Sequence, residues 1–170
     1  MFSANEINKA MNIDGVYYKV VPFHNTHLKV MDFREHDLQI INSFVDYHEM
    51  TQNLNGNGLS FTGIANGKFV CCFGLVKIWD GVYECWLLPS KEQVVKHKFI
   101  FHKSTLKFFN YVAKHLNIHR LQMVVLQSNI LAYKWAKRCY FIEDGLLKNY
   151  GPDKSDYFLM SRLFNFNHKE

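Results

Sequence analysis

The sequence has no apolar run long enough to cross a bilayer, and its N-terminus lacks the basic start and apolar stretch of a signal peptide. A soluble, cytoplasmic protein without membrane contact is therefore expected. Internal repeats, low-complexity tracts and linker-like segments are absent too. A chain of 170 residues can bury its own core, so one domain over 1–170 is expected. Within it, 1–14 form a short helix or loose extension and 164–170 a polar tail.

Cysteine-pair motifs are also missing, since none of the four cysteines stands in C-x-x-C spacing. Cys71 and Cys72 are adjacent and would point to opposite faces of a strand. This predicts buried small hydrophobes in a reducing compartment rather than disulfides or metal ligands. His115 and His119 have a metal-like spacing, but Asn-Ile at 117–118 indicates that a helix ends between them, so no metal site is predicted.

Clustered charge is scarce, because the lysines behind the net charge of +5 are scattered along the chain. The excess fits an anionic ligand such as a nucleotide-containing cofactor better than it fits a nucleic acid. Aromatic residues are plentiful, with fifteen Phe and nine Tyr. They predict a bulky core, with an aromatic surface left for a protein partner.

Hydrophobic periodicity predicts an α/β chain in the order β–α(α)–β–β–β–α–β–α–β–β. The predicted strands are Val16–Val21, Leu59–Ala65, Lys68–Ile78, Val82–Leu88, Arg120–Leu126, Cys139–Ile142 and Tyr157–Leu163. The predicted helices are one or two within 26–50, then Phe99–Leu116 and Asn129–Lys137, with a loop at 51–58. Turn signals at 66–67 and 80–81 make 59–88 an antiparallel meander. A meander before a helical crossover implies a central mixed sheet of six to seven strands, flanked by helices on both faces.

The second half of the chain carries a recognisable motif. In RLQMVVLQSNILAYKWAKRCYFIEDGLL, at 120–147, Asn129 follows a strand, Ala132 lies on a short helix and Phe141 opens the next strand. This segment resembles the C-terminal signature of the GNAT superfamily of acyl-CoA-dependent N-acyltransferases. SDYFLMSRL, at 155–163, is similar to that family's last strand. The resemblance covers 16–163 and implies the GNAT-like acyl-CoA N-acyltransferase fold.

A narrower resemblance involves two other segments, FREHDLQII at 33–41 and ECWLLPS at 84–90. With the basic helix that follows, they are similar to a GNAT-like branch of tailed bacteriophages described among their internal virion proteins. This implies an alternative to catalysis, in which a degenerate GNAT-fold protein binds a protein partner in the virion or the host cytoplasm.

The family resemblance implies acetyl-CoA as cofactor, with its pantetheine arm between two splayed parallel strands, here 82–88 and 120–126. The residues implied at this slot are Trp86, Leu87 and Leu88 on the first strand, and Asn129, Ala132 and Trp135 after the second. Backbone groups of the first three would hydrogen-bond the arm. For both tryptophans, aromatic core packing is the alternative role.

The implied phosphate loop departs from the family pattern Q/R-x-x-G-x-G/A. Gln93 matches it, but Lys96 and Lys98 stand where glycine lets the backbone approach a phosphate. With His97 between them and further lysines at 91 and 103, this is the most cationic short stretch of the chain. Either lysine ammonium groups and His97 replace the backbone amides as phosphate ligands, or the helix start is solvated and binds no cofactor. Because cations at a helix N-terminus oppose the helix dipole, their presence here favours a nearby anion.

The implied catalytic residues are altered as well. The family's general acid, a Tyr seven residues after the Asn, is replaced by Ala136. Tyr140, at the family's glycine position, either supplies a displaced hydroxyl or packs on the sheet. Glu84 is the candidate general base, since an attacking amine must lose a proton. Its alternative role is a rim carboxylate or a cross-strand partner for a lysine.

The resemblance therefore implies an N-acyltransferase that moves an acetyl group from acetyl-CoA to an amine of a small molecule or protein. Direct attack within a ternary complex is the implied mechanism. A non-catalytic module of the same fold is the alternative, motivated by both lost glycines and the lost Tyr. Nucleic-acid binding rests on charge alone.

Overall fold

The computed structural model describes residues 2–43 and 58–165. Its helices there are α1 Ala4–Met11, α2 Asn25–Lys29, α3 Glu35–Ser43, α4 Gln93–Lys96, α5 Lys98–His115 and α6 Ile130–Arg138. Its strands are β1 Tyr18–Pro22, β2 Gly58–Ala65, β3 Lys68–Trp79, β4 Val82–Pro89, β5 Arg120–Leu126, β6 Ile142–Leu147 and β7 Tyr157–Leu163. None of the described helices is both long and apolar enough to cross a membrane.

The strands form one mixed sheet of seven in the order β1-β2-β3-β4-β5-β7-β6. β4 and β5 run parallel, while the β1–β2, β2–β3, β5–β7 and β6–β7 pairs are antiparallel. Helices flank the sheet, which confirms the predicted fold class and the predicted order of elements. The turn signals are confirmed by positive φ at Asn66, Gly67 and Gly81.

The chain divides into two compact units. One comprises Met1–Val76 and Trp86–Phe109, and the other Lys77–Cys85 and Asn110–Glu170. Because the boundaries fall inside β3, β4 and α5, each of these three elements contributes residues to both units. The single domain over 1–170 stays a prediction.

Several predicted boundaries shift. β1 begins two residues later than the predicted Val16–Val21, because the Asp14 carboxylate accepts the amides of Val16 at 2.8 Å and Tyr18 at 3.0 Å and bends the chain. β1 also includes Pro22, as its last residue. The described part of the helical region predicted at 26–50 holds two helices, α2 and α3, while 44–50 lie outside the described residues. So do 51–57 of the predicted loop, while Gly58 already belongs to β2.

In the first unit, the two adjacent cysteines of β3 belong to different core clusters. Cys72 packs with Phe23 and Leu28, whereas Cys71 packs with Ala65 and Val70. Burial raises the pKa of the Cys72 thiol to about 12. The prediction of buried small hydrophobes is confirmed for Cys71, Cys72 and Cys139, whereas Cys85 is half-buried.

An aromatic cluster anchors α5 in the same unit. Phe108 is buried, and its ring meets Phe61 and Phe73 edge-on at centroid distances of 6.3 and 5.1 Å. Phe99 is one of the apolar residues whose spacing predicts this helix as amphipathic, but it is 77% exposed. Its place on the buried face is wrong because nine residues of helix put Phe99 about 180° from Phe108.

In the second unit, the strand predicted at Cys139–Ile142 is wrong for its first three residues. The amide of Phe141 donates to the Ala136 carbonyl at 3.1 Å, and that of Tyr140 to the Lys137 carbonyl at 3.0 Å. These are the two bonds of a Schellman motif, which requires the intervening residue in the left-handed region. Tyr140 adopts φ 68°, so the chain closes α6 first and starts β6 only at Ile142.

The edge strand β1 is covered by a side chain from α1. The Asn8 side-chain amide donates to the Val20 carbonyl at 3.0 Å, and its oxygen accepts the Val20 amide at 2.6 Å. One asparagine thus satisfies both backbone groups of a residue at the sheet edge.

Two histidines cap α2. The Nδ1 atom of His24 accepts the Thr26 amide at 3.3 Å, and the Nδ1 atom of His27 accepts the His24 amide at 3.2 Å. His27 Nδ1 also lies 2.8 Å from the Thr62 hydroxyl, and its ring is flanked by Phe23 and by Phe69. Since Nδ1 accepts a backbone N–H, the ring is held in its neutral form.

We predict that the stability of the protein depends on the neutral form of His27. Burial lowers the pKa of His27 from its ordinary value of 6.5, and the charge of His24 lowers it further. As the pH drops below about 6.5, the unfolded chain therefore binds more protons than the folded protein, and the free energy of unfolding falls. Chemical denaturation across pH 5–8 measures this slope. His27→Asn keeps an acceptor that does not titrate and should flatten it, whereas equal slopes in both proteins would contradict the prediction.

Candidate functional site

The two strands expected to flank the cofactor are the two that run parallel. Their register pairs Val82–Glu84 with Arg120–Gln122, three residues at the start of each strand. β4 continues to Pro89 and β5 to Leu126. Every residue of β4 is half-buried, in contrast to β5, where buried residues alternate. Splaying of the two strands stays a prediction.

The predicted cofactor residues of β4 have their side chains in the core of the first unit. Trp86 and Leu88 pack against the cluster of Phe23, and the Trp86 and Phe23 rings lie 5.7 Å apart, edge-on. Leu87 packs against the other cluster, with Val70. Their backbone groups are thus the parts of these residues that suit the predicted role, and core packing accounts for the Trp86 side chain.

The turn after β4 is fixed by Asp32 and Ser90. One Asp32 carboxylate oxygen accepts the Ser90 hydroxyl in a short hydrogen bond, and the other accepts the Glu92 amide at 3.1 Å. The Asp32 carbonyl accepts the Lys91 amide at 2.9 Å, and the Ser90 hydroxyl accepts the Gln93 amide at 3.1 Å. Three consecutive amides at the start of α4 are therefore used within the protein. The Gln93 side chain is itself buried.

The basic stretch lies at the junction of α4 and α5. Lys96 is exposed, and its ammonium group is 3.4 Å from the Glu92 carboxylate. The His97 ring packs edge-on against Tyr18, with ring centroids 5.6 Å apart, and its role as a phosphate ligand stays a prediction. Lys98 opens α5 and lies over the exposed Phe99 ring at 5.2 Å.

The first turn of α5 offers hydrogen-bond donors. The Phe101 amide donates to the His97 carbonyl at 3.0 Å. The amides of 98–100, by contrast, donate to no backbone carbonyl at the turns and caps of the described residues. No acidic residue lies in this first turn. Free amides, a helix dipole and nearby ammonium groups together favour a bound anion. These residues fit the phosphate groups of CoA.

Glu84, the predicted base, lies in the second unit on the paired part of β4. Its carboxylate accepts the Gln122 side-chain amide at 3.1 Å, so its cross-strand partner is Gln122 rather than a lysine. Tyr150, in the β6–β7 connection, is also affected by Glu84. Burial raises the pKa of Tyr150, and the negative charge of Glu84 adds to this. The carboxylate of Glu84 therefore favours the neutral form of the Tyr150 phenol.

The signature segment behaves as predicted up to the end of its helix. Asn129 is the N-cap of α6, and its side-chain oxygen accepts the Ala132 amide at 3.1 Å. The backbone amide of Ala132 is thus already used in capping α6. Trp135 is half-buried on the same helix, and Ala136, at the family's Tyr position, is fully buried.

Tyr140 is not packed on the sheet, contrary to one of the two roles considered for it. It is 66% exposed, and the Arg162 guanidinium lies over its ring at 5.2 Å. Arg162 also lies over Phe164 at 4.6 Å and donates to the Asn110 side chain at 2.6 Å. The aromatic ring therefore serves as a cation–π partner at the surface.

Four residues of these arrangements escaped the sequence prediction: Asp32, Ser90, Gln122 and Tyr150. The role of Ser90 could have been predicted from the sequence, because S-x-x-Q at 90–93 is the pattern of a capping box. Asp32 is 58 residues from Ser90 in the sequence, and no local pattern joins the two. Gln122 meets Glu84 through the register of β4 and β5, and the electrostatic effect of Glu84 on Tyr150 depends on the tertiary structure.

An open pocket of about 350 Å³ in the second unit is lined by other residues. Lys77, Tyr83 and His119 are among them, and none of the predicted site residues is. Its rim is polar, and Lys77 pairs with Asp80 at 2.5 Å. In the described part of the chain, no group of three or more metal-ligating side chains gathers there or elsewhere.

No protein-family model matches the sequence, and a search of curated proteins finds no match. Solved structures match in fold. A GNAT-family acetyltransferase of Bacillus anthracis has a TM-score of 0.66 at 15% identity, covering 86% of this chain and 95% of that one. A spermidine N-acetyltransferase of Vibrio cholerae has a TM-score of 0.64 at 15% identity, covering 87% and 94%. A ribosomal-protein alanine acetyltransferase of Vibrio fischeri has a TM-score of 0.60 at 15% identity, covering 86% and 93%. The chain has the GNAT fold.

We predict that capping accounts for the contribution of Asn129. Asn129→Ala should lower the free energy of unfolding by about 1 kcal/mol, because the Ala132 amide loses its acceptor. Asn129→Ser keeps a capping oxygen and should restore most of that loss. Thermal and chemical denaturation of the three proteins measure the difference. A serine variant as unstable as the alanine variant would show that Asn129 acts through another contact.

Proposed function

We propose that this chain binds acetyl-CoA and transfers its acetyl group to a primary amine. The observation that carries the proposal is the start of α5, where first-turn amides, Lys96 and Lys98 lie together in a GNAT fold. The acetyltransferases of similar fold act on amines, spermidine in one case and a ribosomal-protein alanine in another.

The lysines at the glycine positions support an anionic ligand. A cation in the first turn of a helix opposes the dipole, at a cost of about 0.3–1 kcal/mol each. Lys98 stands at the first position of α5, and the turn holds no acidic residue to offset it. A phosphate bound there removes this cost and gains charge-assisted hydrogen bonds. Since the amides of 91–93 are used within the protein and α5 is the long helix, we assign the phosphate site to the first turn of α5.

Glu84 is the residue we assign to proton removal. Acetyl-CoA, when bound, supplies an acyl thioester, and an amine attacks only in its neutral form. The Glu84 carboxylate accepts the amine proton, and the hydrogen bond from Gln122 fixes its orientation. Tyr150 stays protonated at neutral pH because burial and Glu84 raise its pKa, so its hydroxyl can act as a donor. Tyr140, whose ring packs with Arg162, has no place in this scheme.

Ala136 favours a second candidate function, a binding module without transfer. It is fully buried at the position where the family resemblance implies a tyrosine acid, so that position supplies no hydroxyl. Such a module would bind acetyl-CoA or a protein partner without consuming an amine. The phage-related interpretation belongs to this alternative.

Calorimetric titration with acetyl-CoA tests the binding step. We expect saturable binding by the wild-type protein and an affinity about tenfold lower in Lys98→Glu, which places a negative charge beside the phosphates. Lys107→Glu is the matched control, an exposed lysine farther along α5, and should bind as the wild type does. The absence of binding at millimolar acetyl-CoA would refute the proposal.

Thiol release in the presence of spermidine or of peptides with a free N-terminus tests the transfer step. Glu84→Gln should lower kcat about 100-fold and leave acetyl-CoA affinity unchanged. Glu143→Gln, which alters an exposed carboxylate bonded to Tyr133, should keep full activity. Binding without release for any amine would support the module without transfer.

A further inference from the structure

The turn that precedes the proposed phosphate site is held by a residue from a distant part of the sequence. Asp32, between α2 and α3, contacts Ser90, Lys91 and Glu92 through both carboxylate oxygens and its carbonyl. Ser90 is fully buried, and its amide donates to the Val70 carbonyl at 2.8 Å. The connection thereby ties the turn both to β3 and to the chain between the first helices.

We infer that Asp32 is a positioning residue for the phosphate end of acetyl-CoA, an inference that rests on the proposed function. Its carboxylate accepts the Glu92 amide, its carbonyl accepts the Lys91 amide, and the Ser90 hydroxyl that it binds accepts the Gln93 amide. With these three amides used, we expect a phosphate to bind at the first turn of α5. Asp32 acts through the backbone of 90–93 and is not expected to touch the ligand.

The absence of glycine explains why such a residue is needed. A glycine-rich loop binds phosphate by wrapping its backbone around the anion, and this loop has lysines at both glycine positions. With its conformational choices reduced, the loop still requires acceptors for its first amides. Asp32 and Ser90 supply those acceptors from within the protein.

The order of helices follows from this arrangement. α4 is a single short turn of Gln93–Lys96, closed by the His97 amide donating to the Gln93 carbonyl at 3.0 Å. α5 starts directly afterwards, at Lys98. Fixing 91–93 therefore fixes the residue at which the free amides of α5 begin.

The hydrogen bond from Ser90 lowers the pKa of the Asp32 carboxyl. Burial opposes this effect, and the hydrogen bond from the Glu92 amide adds to the lowering. The carboxyl is then charged throughout the neutral range. Charged acceptors make the stronger hydrogen bonds to backbone amides. The same charge repels a phosphate from α4.

Two ligands distinguish a role of Asp32 in positioning the phosphate site from a general role in stabilising the fold. Acetyl-CoA carries phosphates, whereas S-acetylpantetheine carries the same acyl arm without them. In Asp32→Ala we expect the dissociation constant for acetyl-CoA to rise about tenfold, with S-acetylpantetheine binding unchanged. Ser90→Ala removes the link to the Gln93 amide without altering the charge and should shift acetyl-CoA affinity in the same direction.

Asp14→Ala is the matched control. Its carboxylate, like that of Asp32, accepts two hydrogen bonds in a turn, here from the amides of Val16 and Tyr18 before β1. This variant should bind both ligands as the wild type does. If Asp32→Ala kept the wild-type affinity for acetyl-CoA, or lost both ligands equally, the positioning role would be overturned while the proposed function stood. A wild-type protein that bound no acetyl-CoA would instead refute the proposed function.

Amide hydrogen exchange in the unliganded protein provides a readout that needs no acetyl-CoA. The Glu92 and Gln93 amides should exchange at least about tenfold faster in Asp32→Ala, since their acceptors are removed or displaced. The exchange of 16–18 should stay unchanged in that variant. Unchanged protection of both amides would show that Asp32 does not hold the turn, and would overturn the inference directly.

Discussion

The carboxylate of Asp32 is the constraint on which the candidate phosphate site depends. It meets the chain where β4 ends, and with Ser90 it accepts the amides that a new helix would leave unpaired. The short α4, the break at His97 and the start of α5 follow in sequence from that point. A loop without glycine is then followed by a long helix whose first turn offers hydrogen-bond donors.

A second position shows the same kind of compensation. Tyr140 takes a left-handed conformation that glycine adopts more easily, because the Schellman motif closing α6 requires it. The Arg162 guanidinium lies over the ring and donates to Asn110. At both sites a residue with a side chain replaces a family glycine, and a charged group from elsewhere in the sequence stabilises the result. The two departures therefore leave the fold intact.

The sequence predicted the order of strands and helices well, because apolar periodicity and the Asn-Gly and Asp-Gly turns report local structure. It also placed Asn129 at the start of a helix. It failed at Cys139–Ile142, where a tyrosine in the left-handed region gives no signal, and at Phe99, where helical phase decides exposure. The partners Asp32–Ser90 and Glu84–Gln122 depend on tertiary contacts and strand register, which one sequence does not reveal.

The asparagine that covers β1 has a consequence for how the protein behaves in a crowded solution. Val20 is the point at which an arriving extended chain would have to add its hydrogen bonds, and Asn8 already makes both of them. Growth of the sheet in that direction must first break a contact inside the molecule. A bond pair within one chain thus acts as a barrier between chains, opposing the edge-to-edge stacking that begins amyloid-like aggregation.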